Sequence, residues 1–218
     1  MDSSSRAHRL TNEVVTTEDA LRAILGEPTP IVLAKQATKL IPLTRPFVEK
    51  ASFVLLATCD QEGHVDVSPR GDAAGFVRIL DDETLLLPER PGNRIADSLR
   101  NVIANPRVGL LFIVPGVGET FRVNGRATIT SDRALLEPST AMGKVPKLGI
   151  LVDIEEAYTH CSKAFIRSDF WNPEHHLARE ALPSNGRILE ALGGGKDFDA
   201  DAYDQERAER YARRENFY

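Results

Sequence analysis

What most constrains this chain is the spacing of its strand-like runs between Phe53 and Thr130. Phe53 to Thr58 is a compact apolar run, and Asp60-Gln-Glu-Gly63 behind it is turn chemistry. His64 to Ser68 returns as an alternating strand with Val65 and Val67 on one face. Gly75 to Leu80 and Thr84 to Leu87 read as two more strands, joined by the acidic turn Asp81-Asp82-Glu83. A helix follows Pro91-Gly92 and runs to about Ala104, with Ile95, Leu99, Val102 and Ile103 as its apolar face; Asn105-Pro106 ends it. Arg107 to Val114, Thr120 to Thr130 and Leu148 to Ile154 complete the strands, and a helix around Tyr158 to Ile166 comes next. A parallel sheet needs a helix after nearly every strand, and here those helices are missing. The pattern predicts a mainly β chain with peripheral helices, its strands closing into an antiparallel barrel.

The flanks read differently. Thr16-Thr17-Glu18-Asp19 is a helix start, Leu21, Ile24 and Leu25 give that helix an apolar stripe, and Gly26 stops it. Thr29-Pro30 opens a second helix and Thr44 a third. This segment is expected to pack on the outside of the domain or on a partner subunit. Beyond Asn185 the chain turns polar: Gly193-Gly-Gly195 is a flexible joint, and Asp201 to Asn216 a highly charged, helix-compatible tail.

A net charge of −5 and a pI near 5.6 argue against a general nucleic-acid binder while allowing a local basic pocket. Cys59 and Cys161 form no close pair, which points to a reducing cytosol. No apolar run is long enough to span a membrane, and Met1-Asp-Ser-Ser-Ser-Arg6 lacks the core of a signal peptide. The expectation is a cytoplasmic protein that engages neither nucleic acid nor membrane.

Three groups of residues could carry chemistry. On a helix spanning 92–104, Arg94, Ser98 and Asn101 share one face, and Asn93 and Arg94 fall in its first turn, where free N–H groups and the helix dipole favour an anion such as phosphate. The spacing fits a solvated polar face equally well. Arg70, between Ser68-Pro69 and Gly71-Asp72, offers a planar fork suited to phosphate, and Gly71 allows close backbone approach; an ordinary Pro-Arg-Gly-Asp turn closed by an ion pair is the other reading. In Thr120 to Arg126, Phe121 and Val123 face one way while Thr120, Arg122 and Asn124 face the other, lining a pocket, an interface or plain solvent. His160-Cys161 and His175-His176 do not converge on one ion, so no metal is expected. Walker, GxGxxG and GxSxG patterns are missing, and Gly193-Gly-Gly195-Lys196 lacks the Walker spacing.

The segments VDVSPRGD, LLLPERPGNRIADSLRN, NPRVGLLFIVPG, ETFRVNGRATI and HCSKAFIRSDFW resemble the pyridoxamine 5′-phosphate oxidase-related family of flavin-binding split barrels, from about Phe53 to Trp171. In particular they resemble a bacterial subgroup with an N-terminal helical extension. The resemblance implies a six-stranded antiparallel split β-barrel and a homodimer with FMN in the subunit interface. It implies an N-terminal helical extension over 1–50, an FMN-binding domain over 51–172 and a C-terminal polar tail over 173–218. Phosphate binders match Ser68, Arg70, Gly71, Asn93 and Arg94, to which the helical face adds Ser98 and Asn101. Leu87 and Pro88 would lie beside the isoalloxazine, and Thr120 would touch it. Lys163 and Trp171 lie near a segment that could close the site from the other subunit, and Arg122 or Lys163 could stabilise charge on the reduced ring.

The implied function is an FMN-dependent oxidoreductase acting on a small molecule, with the redox chemistry done by the cofactor and no catalytic residue required. Alternatives are a non-enzymatic flavin or haem carrier or sensor, with His64 or His160 as the haem ligand, and a deazaflavin-dependent reductase. Departures from true pyridoxamine phosphate oxidases argue against vitamin B6 oxidation. Gly71-Asp72-Ala73-Ala74-Gly75 replaces a continuous strand ending in lysine, Asn93-Arg94 replaces an Arg-Lys pair, and Trp171-Asn-Pro173 stands where a substrate-binding Trp and Gly-Arg-Leu run would be.

Overall fold

The structure, a computed structural model, describes residues 11, 13–195 and 197–218. The stretch Met1 to Arg6, read above for a signal peptide, and Lys196 lie outside the described residues. The chain divides into two compact units, Met1–Gln36 and Ala37–Tyr218.

In the first unit, α1 (Glu18–Leu25) begins at Thr17, whose hydroxyl accepts from the Ala20 N–H at 3.2 Å. Glu18 and Asp19 complement the dipole in its first turn. Gly26 ends it at φ 74°, a left-handed value that glycine adopts without strain. Pro30 at the first position starts α2 (Pro30–Leu33).

Among the described residues the second unit carries α3 (Arg45–Lys50), seven strands and five further α-helices. The strands are β1 (Phe53–Cys59), β2 (Val65–Gly71), β3 (Arg78–Ile79), β4 (Thr84–Pro88), β5 (Arg107–Ile113), β6 (Thr120–Thr130) and β7 (Gly149–His160). The helices are α4 (Asp97–Ala104), α5 (Arg133–Leu136), α6 (Lys163–Ser168), α7 (Asn185–Ala191) and α8 (Ala200–Ala212). All strand pairs are antiparallel, in the order β2-β1-β5-β6-β7-β4-β3. Among the described residues no helix is long and apolar enough to cross a membrane.

Register assigns the two faces of the sheet. Val54, Leu56, Val108, Leu110, Phe112, Phe121 and Val123 are buried on the concave face. Phe121 stacks on Phe47 of α3 with ring centroids 5.7 Å apart, and Val102 of α4 joins the same core. Burial of several such side chains, each contributing about 1.5–3 kcal/mol, is the main stabilising term. On the convex face Phe53, Val65 and Val67 remain exposed.

The closed barrel read from the strand pattern and the six-stranded split barrel implied by the resemblance are corrected to an open sheet of seven strands, the number of strand-like runs in the sequence. Its edges are β2 and β3, which do not pair with each other. β3 is only two residues long, against the expected Gly75 to Leu80, because Gly75 turns the chain at φ 77° and its N–H goes to the Ala51 carbonyl. β3 therefore pairs with β4 only at Leu85 and Leu86, leaving Leu87 and Pro88 without a strand partner on that side. β2 tolerates Pro69, which lacks an N–H, because it is an edge strand.

Two further boundaries move. β7 runs to His160 instead of Ile154, since the eleven-residue β6 pairs with it from end to end around a bulge at Asn124/Gly125. The helix expected at 158–166 accordingly starts at Lys163. α4 starts at Asp97 and not after Gly92, because Arg94 and Ala96 have φ of 64° and 60° and break the helical path. The Asn93 side chain instead accepts from the Ile95 N–H at 3.0 Å, forming a local turn.

Candidate anion and cofactor site

The polar alternation of β2 places Asp66, Ser68 and Arg70 on the concave face, opposite Thr58, Leu56 and Val54 of β1. The first turn of α4 packs over them. Ser98, 3% exposed, donates to the Asp66 carboxylate at 2.8 Å and lies 3.0 Å from the Ser68 hydroxyl. A hydroxyl has one proton to give, and that of Ser98 goes to Asp66, so Ser68 donates to Ser98. Arg70 Nε donates to Ser68 at 3.2 Å. The result is a directed chain from Arg70 through Ser68 and Ser98 to Asp66. It commits both serine protons and leaves the serines to orient Arg70.

Arg70 Nη1 donates to Glu89 at 2.5 Å, with the two side chains 17% and 23% exposed. Beside this pair runs another of reversed polarity, Arg90 Nε to Asp72 at 2.7 Å. The two ion pairs join the end of β2 to the residues following β4, where no backbone bonds do. Among the described residues, Arg70 Nη2 has no partner and so presents the open edge of the guanidinium.

The entry to α4 supplies the rest of the site. Its N-cap residue, Ala96, makes no side-chain cap bond, so no capping side chain accepts from the N–H groups of the first turn, which also carries Asp97. Arg94 stands exposed ahead of it and pairs with no carboxylate among the described residues. Two left-handed non-glycine residues, Arg94 and Ala96 on either side of Ile95, are strain of the kind that collects at ligand sites.

The expected residues thus fall into separate groups. Ser68, Arg70 and Ser98 meet directly, with Arg94 at the helix entry they share. Asn101 continues the same face of α4 and donates to Thr58 Oγ1 at 3.0 Å, so it fastens the helix to β1. The predicted common face of Arg94, Ser98 and Asn101 is corrected, because Arg94 precedes the helix. Gly71 lies on the convex face beside Phe53, a Cβ there meeting Phe53 Cδ2 at an ordinary 3.4 Å. Leu87 and Pro88 are buried, Leu87 within the core. Thr120 and Arg122 lie on the convex face, where Arg122 donates to the Tyr158 hydroxyl at 2.8 Å with its Cζ 5.4 Å from that ring. Lys163 is exposed at the start of α6, and Trp171 donates to the Val117 carbonyl at 3.1 Å.

Sequence reasoning missed Asp66, Glu89, Asp72, Arg90 and Tyr218, the last donating its O–H to Asp72 at 2.8 Å. Period-two alternation in β2 carries the signal for Asp66; the other contacts span 18 to 146 residues and leave no local trace. Burial raises the Asp72 carboxyl, but hydrogen bonds from the Ala73 N–H, Tyr218 and Arg90 outweigh it and hold the group below its ordinary value. Elsewhere, an open cleft of about 360 Å³ lined by Arg45, Glu49, Gly75, Val77, Arg78 and Ile79 holds none of the expected site residues. Asp60, Glu62 and His64 cluster with ligand spacing in the β1–β2 turn, where His64 Nδ1 sits 2.9 Å from Asp60.

No curated protein matches the chain. Among solved structures it is similar to HupZ of Group A Streptococcus, at 20% identity over 56% of this chain and 96% of that one, with a TM-score of 0.46. It is similar to an FMN-binding protein of Syntrophomonas wolfei at 14% identity over 54% and 88%, with a TM-score of 0.40. An F420 reductase aligns at 20% identity over 52% and 93%, with a TM-score of 0.38. The family model described as pyridoxamine 5′-phosphate oxidase matches residues 40–161, more than half of the chain and the whole of the sheet. On that match, the chain belongs to the pyridoxamine 5′-phosphate oxidase family.

Proposed function

We propose that the protein binds FMN between two copies of the chain and acts as an oxidoreductase on a small molecule. The observation that carries this reading is the uncapped entry to α4, strained at Arg94 and Ala96 and facing the Arg70–Ser68–Ser98 chain. In the proposed roles, Arg70 Nη2, the Arg94 guanidinium and the N–H groups of the first turn of α4 hold the 5′-phosphate. Ser68, Ser98 and Asp66 fix the angle of Arg70. A phosphate brings the partner that Arg94 lacks and fills the anion position that the helix dipole favours.

The separation of the residues supports a dimer. Arg70 and Arg122 project from opposite faces of one sheet, so a single ligand meets both groups only between two chains. The exposed Phe53, Val65 and Val67 supply apolar area for that contact. Bound FMN supplies the acceptance and release of electrons at its ring. The chain contributes binding, orientation and, through Arg122, a cation on the convex face. Vitamin B6 phosphate is not the proposed substrate, since Asn93-Arg94 and Trp171-Asn-Pro173 lack that activity's signatures.

The test is the visible spectrum of the purified protein, mass spectrometry of the released chromophore and the mass of the assembly. A yellow dimer with stoichiometric FMN supports the reading and justifies a screen of electron donors. A deazaflavin in its place changes the cofactor but keeps the phosphate site. A colourless protein that takes up neither added cofactor refutes it.

A further inference from the structure

The segment after α8 does not trail into solvent. Arg214 and Asn216 adopt φ of 51° and 60° and reverse the chain, so that Phe217 packs edge-on against Tyr211 with ring centroids 5.5 Å apart. Tyr218 then reaches the site. Its hydroxyl donates to Asp72 Oδ1 at 2.8 Å, its ring lies 5.2 Å from Arg90 Cζ, and Lys144 Nζ donates to its main-chain oxygen at 2.7 Å. The side chains it meets are well covered, with Asp72 6% and Arg90 18% exposed.

These contacts fall beside the proposed phosphate binder. Asp72 follows Arg70 by two residues, and Arg90 directly follows Glu89. The pairs Arg70–Glu89 and Arg90–Asp72 form two rungs across the same gap, and Tyr218 grips the outer one through an O–H and a cation–π contact. A segment that only completed the fold would bury apolar side chains. This one ends on the Asp72–Arg90 ion pair, the neighbour in sequence of the Arg70–Glu89 pair.

We propose that Tyr218 is a positioning residue of the cofactor site, acting through the Asp72–Arg90 pair to hold Arg70 toward the phosphate, with residues 213–218 forming a strap over that corner. The assignment rests on the FMN reading above. It requires Tyr218 to act on the phosphate end of the ligand and not on the ring. FMN and riboflavin differ only in that phosphate, so the ratio of their affinities isolates the effect.

The experiment titrates the cofactor-stripped protein with FMN and with riboflavin, for wild type, Tyr218→Phe, Tyr218→Ala and Asp72→Asn. Loss of a hydrogen bond to a charged group is expected to lower the FMN-over-riboflavin preference of Tyr218→Ala about tenfold. Riboflavin affinity stays at the wild-type value, and Tyr218→Phe, which keeps the ring over Arg90, falls part of the way. An unchanged preference in Tyr218→Ala overturns the proposal, as does equal weakening of both flavins, while wild-type FMN binding would leave the functional reading standing. A wild type that binds neither flavin, or does not prefer FMN, refutes both together. Thermal unfolding without ligand checks folding; if Tyr218→Ala does not fold, Tyr218→Phe and Asp72→Asn decide by the same ratio.

Discussion

The Arg70–Glu89 pair can be tested by a double-mutant cycle on the ligand-free protein. Fully exposed pairs couple by about 0–1 kcal/mol, and removing one partner of a fully buried pair costs about 3–5 kcal/mol. With side chains 17% and 23% exposed, this pair lies between those limits, and we expect a coupling of about 2 kcal/mol. Arg70→Ala also leaves Ser68 without its donor, so it should cost more than Glu89→Ala. The double variant should be little worse than Arg70→Ala, because Glu89 alone is a poorly solvated carboxylate. In urea, with a slope of about 2 kcal/mol per M, a loss of 2 kcal/mol moves the midpoint by about 1 M, well within measurement. Single effects that add to within about 0.5 kcal/mol would show that the two groups do not couple, and the seam would then owe nothing to this pair.

Other perturbations probe other parts of the site and fold. Arg94→Ala should leave unfolding unchanged, since the residue is exposed, yet weaken FMN about tenfold; wild-type retention of FMN would remove Arg94 from the site. Ala96→Gly relieves a left-handed φ and should raise stability by about 1 kcal/mol, seen as a higher melting temperature. Gly125→Ala puts a Cβ 2.0 Å from the Asp153 carbonyl oxygen at the β6–β7 bulge; a loss of about 3 kcal/mol is expected, and a melting temperature equal to wild type would contradict it. The strap should respond to pH at both ends. Asp72 is held low, so its contribution is present above roughly pH 3.9 and lost as pH falls through its folded value. Tyr218 is raised, first by its hydrogen bond to Asp72 and then by burial, so its contribution is present below roughly pH 10 and lost as pH rises through its folded value. Hydrogen exchange at 213–218, corrected for intrinsic rate, should therefore show protection across the neutral range that disappears in acid; equal exchange at neutral and acidic pH would count against the contact.

The strands were legible because alternation and turn chemistry are local. Thr120 to Thr130 is read to its last residue, and Thr17, Gly26 and Pro30 mark helix ends by short-range rules. The start of α4 was not legible: Pro91-Gly92 looks like a helix entry, and only the backbone shows that Arg94 and Ala96 delay it. β3 shrank for a similar reason, since Gly75 is fixed against the Glu49 and Ala51 carbonyls by contacts outside its own segment. Barrel closure depended on whether β2 and β3 pair, which no single-strand pattern encodes. At the site, Arg70 and Ser68 were readable from a strand end, whereas Glu89, Arg90 and Tyr218 became relevant only once β2, β4 and the segment after α8 were brought together.

The open edge of β2 has a consequence for the solubility of any species that exposes it. An unpaired strand is a template on which other chains can add and polymerise. β2 carries three guards against this: Pro69, which offers no donor; Asp66 and Arg70, whose inward charges no incoming apolar strand could bury; and the ion pairs that fasten its end. Replacing Pro69 with valine would complete a donor row beside exposed Val65 and Val67 and turn a protected margin into a nucleus for aggregates.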